Sequence, residues 1–255
     1  SDEWIMDKIL KLASVIESNV NDRSYNEMQL LQYNSNETEF RISFKQEVIA
    51  KTILFVKKKK YSAWHVNEEG ASVDKIKTTG LEIVRSDTPE LVRPMLKDIM
   101  SMILKGSSDK DLSNKINECK KQLQGSLPEE LATNIGIHDL GKYIDVKNDV
   151  VKGTPMHVKG VANYRKLIKQ LKLDGKYEDI SEGAKVKVAY MRKNVFNVDA
   201  MAFLRWPVEF DKYLQLDYTR QVEKVFTNKI EMLLEVMNKT GLLSGKAKEN
   251  ISLFF

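Results

Sequence analysis

Four consecutive lysines, Lys57 to Lys60, stand inside a segment that otherwise has the composition of a β-strand, FVKKKKYSAW at 55–64. Strands favour β-branched and aromatic residues, so this run constrains any fold that contains it. One explanation is a solvated edge strand, where lysine prevents unwanted pairing with another sheet. The other is a surface that meets a polyanion, and the rest of the sequence has to distinguish the two.

The segment around the lysine run has the pattern of a small sheet that follows a helix. Residues 5–20 repeat apolar side chains at helical spacing, which predicts an amphipathic helix. Residues 40–66 alternate and are rich in β-branched residues, and NEEG at 67–70 has turn composition, so we predict two strands with a turn. A further strand is predicted at 74–85.

A helix is predicted to begin with Thr88 as its N-cap and Pro89 in its first position. Pro94 is expected to bend or interrupt this helix, because an interior proline removes a backbone hydrogen bond. The clearest break in composition follows at 106–111, GSSDKD. It predicts a boundary between two domains, 1–105 and 106–255.

The second predicted domain alternates loops with helical segments. Helical periodicity occurs at 112–124, 158–171 and 216–238, and one strand-like stretch occurs at 185–191. The predicted fold class is therefore α+β. An antiparallel sheet with helices comes first, and a mainly helical domain with a small β element follows.

The basic charge is concentrated in one part of the chain. The 255 residues contain 41 Lys and Arg against 36 Asp and Glu, a net charge of +5. Residues 142–193 alone contain 13 basic and 6 acidic residues, a local charge of +7. A concentration of this kind suits a polyanionic partner such as nucleic acid.

The single cysteine, Cys119, excludes an intramolecular disulfide and a cysteine-rich zinc site, which agrees with a reducing compartment. No apolar run approaches the roughly 20 residues that a membrane span needs. The stretch SDEWIMDK at 1–8 is too acidic for a signal peptide. We expect a cytoplasmic protein without a membrane partner.

Catalytic and metal-binding patterns are missing from the sequence. The histidines His65, His138 and His157 have no metal-ligand spacing, and no phosphate-binding loop or nucleophile motif occurs. The carboxylate pairs Glu68 with Glu69 and Glu178 with Asp179 have the composition of solvated turns. We predict no catalytic and no metal-binding residue on this chain, which by itself has the character of a binding protein.

Three ordered motifs resemble the C-terminal third of family B DNA polymerases, most closely those of T4-like bacteriophages. They are KKKKYSAW, KIKTTGLEIVRSDTPELVR and GTPMHVKGVANYRKLI. The first matches a KKxY motif of the palm, and the second a KxxGLExVRRDTP-like segment. The third matches an HxRxxxxYN-like motif of the thumb, with Lys159 for the usual arginine and Arg165 where asparagine is more common. The resemblance covers roughly residues 40–255, with the helix at 5–20 fitting a palm helix by pattern alone.

The family's catalytic motifs are missing from this sequence. Its metal-binding aspartates lie in DxxSLYP and YxDTDS motifs, and its nucleotide-binding helix carries KxxxNSxYG. The resemblance therefore implies that Mg²⁺ and dNTPs bind to an N-terminal polymerase polypeptide, and that this chain cannot polymerise DNA alone. It is either a piece of a longer polymerase or the second product of a split gene, as some phages have.

The resemblance also implies how the lysine run acts. If residues 58–61 form one strand, Lys59 and Tyr61 point to one face, and Lys58 and Lys60 point to the other. Lys59 and Tyr61 would face the new primer-template duplex, where a lysine can donate to minor-groove acceptors that nearly all base pairs share. This contact would sense pairing geometry without reading sequence.

The DNA-binding residues that the resemblance implies include thumb residues that would hold phosphates. The alternative for each thumb residue is a solvated charge without a function. Arg85 could instead form a structural ion pair with Glu82. Tyr143 and Tyr164 could instead be part of the hydrophobic core. The implied DNA-binding set is Lys58, Lys59, Lys60, Tyr61, Arg85, Lys142, His157, Lys159, Tyr164 and Arg165.

The chain ends on bulky apolar residues in KENISLFF. T4-like polymerases end in a short hydrophobic peptide that docks on the sliding clamp, and the spacing here matches a QxxIxxFF box with Lys248 in place of glutamine. The implied clamp-binding residues are Ile251, Leu253, Phe254 and Phe255. The alternative is an end that is simply packed or left over from cloning.

Two functions follow from these observations. The first is a C-terminal segment or split subunit of a replicative DNA polymerase that grips primer-template DNA, with an N-terminal polypeptide and a sliding clamp as partners. The second is a stand-alone nucleic-acid-binding protein that derives from such an enzyme and has no catalytic role.

Overall fold

The computed structural model describes residues 2–31, 43–81 and 85–244, and its helices and two small sheets confirm the α+β class. The first elements are α1 (Asp2–Leu31), β1 (Val48–Lys57), β2 (Lys60–Glu68) and β3 (Ala71–Thr79). The chain continues with α2 (Val92–Leu104), α3 (Asp109–Leu123), α4 (Pro128–Leu131), β4 (Thr133–Gly136), α5 (Leu140–Tyr143), α6 (Met156–Gln170), β5 (Lys185–Tyr190) and β6 (Ala200–Phe203). It ends with a 3-10 helix (Val208–Lys212), α7 (Tyr218–Val222), a π-helical segment (Glu223–Thr227), α8 (Asn228–Val236) and a second 3-10 helix (Thr240–Ser244).

The chain divides into two compact units. The first comprises residues 1–54 and 62–77, and the second comprises 55–61 and 78–255. Helices α2 and α3 flank the predicted boundary at residue 106 and pack against each other within the second unit. The predicted functional ranges 1–105 and 106–255 rest on the resemblance and stay a prediction.

In the first unit, one face of α1 holds the chain that leads into β1. Asn21 exchanges two hydrogen bonds with the backbone of Phe44, 2.8 Å to its carbonyl oxygen and 2.7 Å from its amide. The amide of Gln46 donates to Glu17 Oε2 at 2.9 Å. The predicted helix at 5–20 is confirmed, and it extends well beyond both ends of that range.

The first sheet has the order β1-β2-β3 and is built from two tight hairpins. Between β2 and β3, Glu69 and Gly70 both have positive φ, 50° and 86°, as a type I′ turn requires. The amide of Gly70 donates to Asn67 Oδ1 at 3.0 Å. The turn predicted at NEEG is therefore confirmed.

The lysine run does not lie on one strand, so the prediction of a strand over 55–64 is wrong. Strand β1 ends at Lys57, Lys58 and Lys59 form a turn, and β2 begins at Lys60. Lys59 has φ 62°, in the left-handed region, which reverses the chain direction. The alternating faces predicted for residues 58–61 therefore do not exist, because the alternation of a strand is broken at the turn.

Two further boundaries differ from the prediction. Strand β3 ends at Thr79, because Gly80 takes φ 66°, and it does not continue unbroken to residue 85. Helix α2 begins at Val92 rather than after Thr88, whose buried hydroxyl accepts a hydrogen bond from Lys229 Nζ at 2.8 Å. Pro94 lies in the first turn of α2, where a missing amide costs little, and the helix runs on without interruption.

The second sheet, β4-β5-β6, is antiparallel and carries α6 against β6. The approach is close at Gly160, where an added Cβ would lie 2.8 Å from the Ala202 amide nitrogen and 3.1 Å from the Ala202 Cβ. Asn163 Nδ2 also donates to the Ala200 carbonyl at 2.8 Å. The predicted helix at 158–171 and strand at 185–191 are confirmed within two residues at each end.

The core of the second unit includes a row of edge-to-face aromatic rings. Phe203 contacts Trp206 with ring centroids 5.0 Å apart, Trp206 contacts Phe210 at 5.6 Å, and Phe210 contacts Tyr164 at 6.2 Å. The helical prediction at 216–238 is confirmed as α7, the π-helical segment and α8 in succession. No helix within the described ranges is long and apolar enough to cross a membrane.

Candidate nucleic-acid interface

The lysine turn presents its side chains to solvent. Lys57, Lys58 and Lys59 are exposed, whereas Lys60 and Tyr61 are half-buried. The Tyr61 ring lies 5.9 Å from the Phe55 ring, so it rests on the neighbouring strand of the hairpin. Within the described part of the chain, none of these lysines has an ion-pair partner. The turn therefore concentrates positive charge without carboxylate partners in the described ranges.

Gly80 packs closely against the backbone of the lysine turn. An added Cβ on Gly80 would lie 2.2 Å from the Lys59 carbonyl oxygen, a distance that no side chain tolerates. Gly80 also has φ 66°, which glycine adopts without strain. This contact joins the KKKKY motif to the KxxGLE motif, so the two motifs form one structural site.

Residues 86–88 are held by two basic side chains that the sequence interpretation missed. Arg93 Nε donates to the Thr88 carbonyl at 2.9 Å, and Arg93 Nη2 donates to the Ser86 carbonyl at 3.2 Å. Lys229 reaches Thr88 from α8. Nothing in the local sequence marks Lys229, because its partner lies on a distant segment.

Arg85 is exposed, and its Nε lies 3.7 Å from Asp87 Oδ1. The alternative pairing with Glu82 falls outside the described residues. Arg85 therefore has a carboxylate neighbour in its own loop.

Two basic residues of the predicted thumb set are engaged within the protein. Lys159 Nζ contacts Asp199 Oδ2 at 2.9 Å. Arg165 makes a bidentate contact with Asp179, at 2.8 and 3.0 Å, and donates to the Ile180 carbonyl at 2.6 Å. These contacts favour a structural role for both basic side chains.

Tyr164 lies in the core, in agreement with the alternative given for it. Its hydroxyl donates to the Glu178 carbonyl at 3.0 Å, and it belongs to the aromatic row. Burial, with the Asp179 carboxylate nearby, raises the pKa of Tyr164 to about 12. The ring is therefore a neutral packing group at every physiological pH.

His157 and Lys142 are the predicted thumb residues that remain available. Burial, with the charges of Lys224 and His138 nearby, lowers the pKa of His157. Lys142 is exposed on α5, 5.2 Å from the centre of the Tyr143 ring. Neither has an ion-pair partner among the residues that the structure describes.

A cluster on Tyr190 adds two cations that the sequence interpretation missed. Arg220 lies over the Tyr190 ring at 4.4 Å from its centre, and Lys224 lies at 4.9 Å from it. Lys224 Nζ also donates to the Tyr190 hydroxyl at 3.0 Å. Arg220 and Lys224 are four residues apart on a predicted helix, so the sequence could have predicted that they lie on the same face of it.

The described residues do not include a group of three or more His, Cys, Asp or Glu side chains that could hold a metal ion. The proposed clamp-binding residues Ile251, Leu253, Phe254 and Phe255 lie outside the described residues, and their role stays a prediction.

Comparison with known proteins identifies one family. The model of DNA polymerase family B matches residues 6–148, which include α1, the first sheet and the lysine turn. No curated protein matches the chain. The match stops before α6, so it does not include the motif at Gly153–Ile168, whose assignment stays a prediction.

Replacing Gly80 by alanine should disturb the lysine turn. We expect G80A to lower the free energy of unfolding by about 2–4 kcal/mol, because it combines left-handed strain with a clash against the Lys59 carbonyl. Gly70 has φ 86° with nothing within 4 Å of an added Cβ, so G70A carries the strain alone and should cost about 1 kcal/mol. Chemical denaturation of both variants measures the difference, and equal losses would contradict the steric role of Gly80.

Proposed function

The chain belongs to DNA polymerase family B, and from this we propose that it grips primer-template duplex DNA during template-directed DNA synthesis. The members of this family are DNA polymerases, so the proposed role is part of a nucleotidyltransferase reaction. The proposal treats residues 1–105 as palm and residues 106–255 as thumb, as a segment or split subunit of a replicative polymerase of T4-like type.

The observation that carries the proposal is the lysine turn held by Gly80. A turn with exposed ammonium groups that have no carboxylate partner in the described ranges suits a groove of duplex DNA. Minor-groove acceptors are nearly the same for every base pair, so a lysine there can sense pairing geometry without reading sequence. Because Lys58 and Lys59 occupy the turn, we assign this contact to the turn itself rather than to one face of a strand.

A second group of cations would hold the phosphate backbone. It consists of residues of the second unit that have no ion-pair partner in the described ranges: Lys142, His157, Arg220 and Lys224. Phosphate contacts of this kind give affinity that does not depend on sequence and that falls with salt. Lys159, Tyr164 and Arg165 would instead hold α6 in place, which changes their role from direct contact to support.

The catalytic groups would come from an N-terminal polypeptide. We propose that this partner carries the aspartate motifs and binds Mg²⁺ and dNTPs, since the described residues offer no metal site. We also propose that the tail with Ile251, Leu253, Phe254 and Phe255 docks on a sliding clamp, in a bacterial host cytoplasm. The aromatic pair at the end of such a tail would supply the anchors that a pocket selects.

A second candidate function is nucleic-acid binding without catalysis. The same lack of a metal cluster in the described residues favours it. A mixing experiment separates the two candidates: the chain is added, with Mg²⁺ and dNTPs, to a family B polypeptide that carries the DxxSLYP and YxDTDS motifs. The first candidate predicts primer extension above the level of that polypeptide alone, and no gain would leave only the second.

Primer-template binding should depend on the two proposed cation groups. We expect K58A/K59A and R220A/K224A each to lower affinity about tenfold at low salt, and to reduce the slope of log Kd against log salt by about 2, because each removes two cations that displace counterions from the DNA. Fluorescence anisotropy with labelled duplex DNA measures both quantities. The double variant K110A/K121A removes two exposed lysines from α3 and controls for net charge. Equal losses in all three variants would indicate a nonspecific charge effect.

Binding should also strengthen as the pH falls, through His157. The pKa of free His157 lies below 6.5, and a nearby phosphate would raise it, so DNA binding takes up a proton. Affinity should therefore increase as the pH falls below about 6.5 towards the pKa of the free protein, and H157Q should flatten this part of the profile. Anisotropy titrations between about pH 5 and 8 test this, with H138Q as the comparison. A wild-type slope in H157Q would contradict the role of His157.

A further inference from the structure

The surface of the second unit carries one aspartate that is followed directly by a glycine, Asp174 before Gly175. No other aspartate or asparagine in the 255 residues has a glycine after it. Both residues are exposed, and the Asp174 carboxylate has no hydrogen-bond or ion-pair partner within the described ranges. Because glycine has no Cβ, a neighbouring carboxyl group can approach its amide closely. Such a pair can react within its own main chain.

This pair forms the centre of a tight turn. The Lys176 amide donates to the Leu173 carbonyl at 3.0 Å, and Gly175 has φ 83°. Both features are those of a type II turn, which places glycine at its third position. Nothing lies within 4 Å of a Cβ added to Gly175, so the space beside this residue is open. The turn is therefore held by its own backbone and by the contacts of the residues that follow it.

The two residues after Gly175 are bound to a carboxylate that is distant in sequence. Glu209, in the 3-10 helix Val208–Lys212, accepts a hydrogen bond from the Tyr177 hydroxyl at 2.7 Å and pairs with the Lys176 ammonium group. We call these two interactions the Glu209 contacts. Hydrogen bonds from Lys176 and Tyr177 lower the pKa of Glu209 to about 2. The carboxylate therefore stays charged at neutral pH, and the Glu209 contacts persist there.

We propose that Asp174 and Gly175 form an isoaspartate site, at which the main chain rearranges when the turn opens, and that the Glu209 contacts limit the rate. The Gly175 amide nitrogen attacks Cγ of Asp174 while the carboxyl group is in its acid form. A bond forms between this nitrogen and Cγ, the bond from Cγ to the hydroxyl oxygen breaks, and water leaves with the amide proton. The product is a five-membered succinimide ring.

Hydrolysis of the ring completes the rearrangement. Water that adds to Cγ restores the aspartate. Water that adds to the main-chain carbonyl carbon of Asp174 breaks the bond from that carbon to the Gly175 nitrogen, so that the main chain then runs through Cβ and Cγ. The reaction releases and then consumes water, needs no oxidant or reductant, and leaves the mass of the chain unchanged. The isomer has one more atom in its main chain, which displaces the residues of the Glu209 contacts.

The closed turn keeps the reacting atoms apart. Ring closure requires ψ near about −120° at an L-residue, whereas a type II turn holds its second residue, here Asp174, near about +120°. The peptide unit between Asp174 and Gly175 must therefore rotate before the ring can close. The rate of the reaction follows the fraction of molecules in which the turn is open. Because the Glu209 contacts begin at the last residue of the turn, they raise the free energy of this opening.

The test measures isoaspartate in the full chain during ageing at neutral pH. Electron-transfer fragmentation of proteolytic peptides locates it, and methyl transfer from S-adenosylmethionine by an isoaspartyl methyltransferase gives the total amount. We expect residue 174 to be the main site, and D174E to lose the signal there, because its ring would need a sixth member. D174N should react faster than the unaltered chain through the same ring, because its neutral amide releases ammonia without prior protonation of a carboxylate.

The variant E209A tests the Glu209 contacts. It should raise the rate of isoaspartate formation at residue 174 about threefold or more, because a hydrogen bond and an ion pair no longer hold the turn closed. The control E231A removes an exposed glutamate of α8 and should age like the unaltered chain. A synthetic peptide of residues 169–180 lacks the Glu209 contacts and should react faster than the folded chain. Circular dichroism shows whether E209A is folded, and Y177F, which removes one hydroxyl, replaces it if it is not.

Two results would overturn the proposal. The isoaspartate site is refuted if residue 174 of the unaltered chain holds no isoaspartate after ageing that converts most of the peptide. The role of the Glu209 contacts is refuted if the unaltered chain, E209A and E231A react at equal rates, or if the folded chain reacts as fast as the peptide. DNA binding plays no part in these measurements, so their outcome is independent of the proposed function.

Discussion

The contact between Gly80 and the Lys59 carbonyl is the constraint on which the lysine turn depends. It leaves no room for a side chain at residue 80, and it fixes a lysine in a left-handed conformation that costs about 1–2 kcal/mol. Two motifs that are separate in sequence thereby become one site. The four lysines that seemed unsuited to a strand are divided between a strand end, a turn and a strand start.

Ion pairing divides the basic side chains of the second unit into two classes. Lys159 and Arg165 have carboxylate partners and hold α6 against its surroundings. Arg220 and Lys224 share the ring of Tyr190, which offsets part of their mutual repulsion but leaves their charge available. The motif at Gly153–Ile168 thus contributes packing more than charge, and the phosphate contacts that we propose come partly from α7 and the π-helical segment.

Much of the fold was predictable, because hydrophobic spacing reports a single buried face. The helices α1, α3 and α6 and the strand β5 follow directly from it. The lysine turn was not predictable, because it contains no glycine, asparagine or aspartate, and the residue that fixes it lies beyond the next hairpin. The start of α2 was missed for a similar reason: Thr88 has the identity of an N-cap, but its hydroxyl accepts a hydrogen bond from distant Lys229.

At the lysine turn, salt weakens the repulsion between charges but does not change the steric packing. Repulsion among Lys57, Lys58, Lys59 and Lys60 destabilises the free turn, and dissolved ions screen it over about 10 Å at 0.1 M salt. The close contact of Gly80 with the Lys59 carbonyl is steric and is not screened. Added salt should therefore release bound DNA while leaving the turn as well formed as before or better. If the turn binds DNA as we propose, this design would let the complex slide, because the shape of the turn persists when its electrostatic attraction weakens.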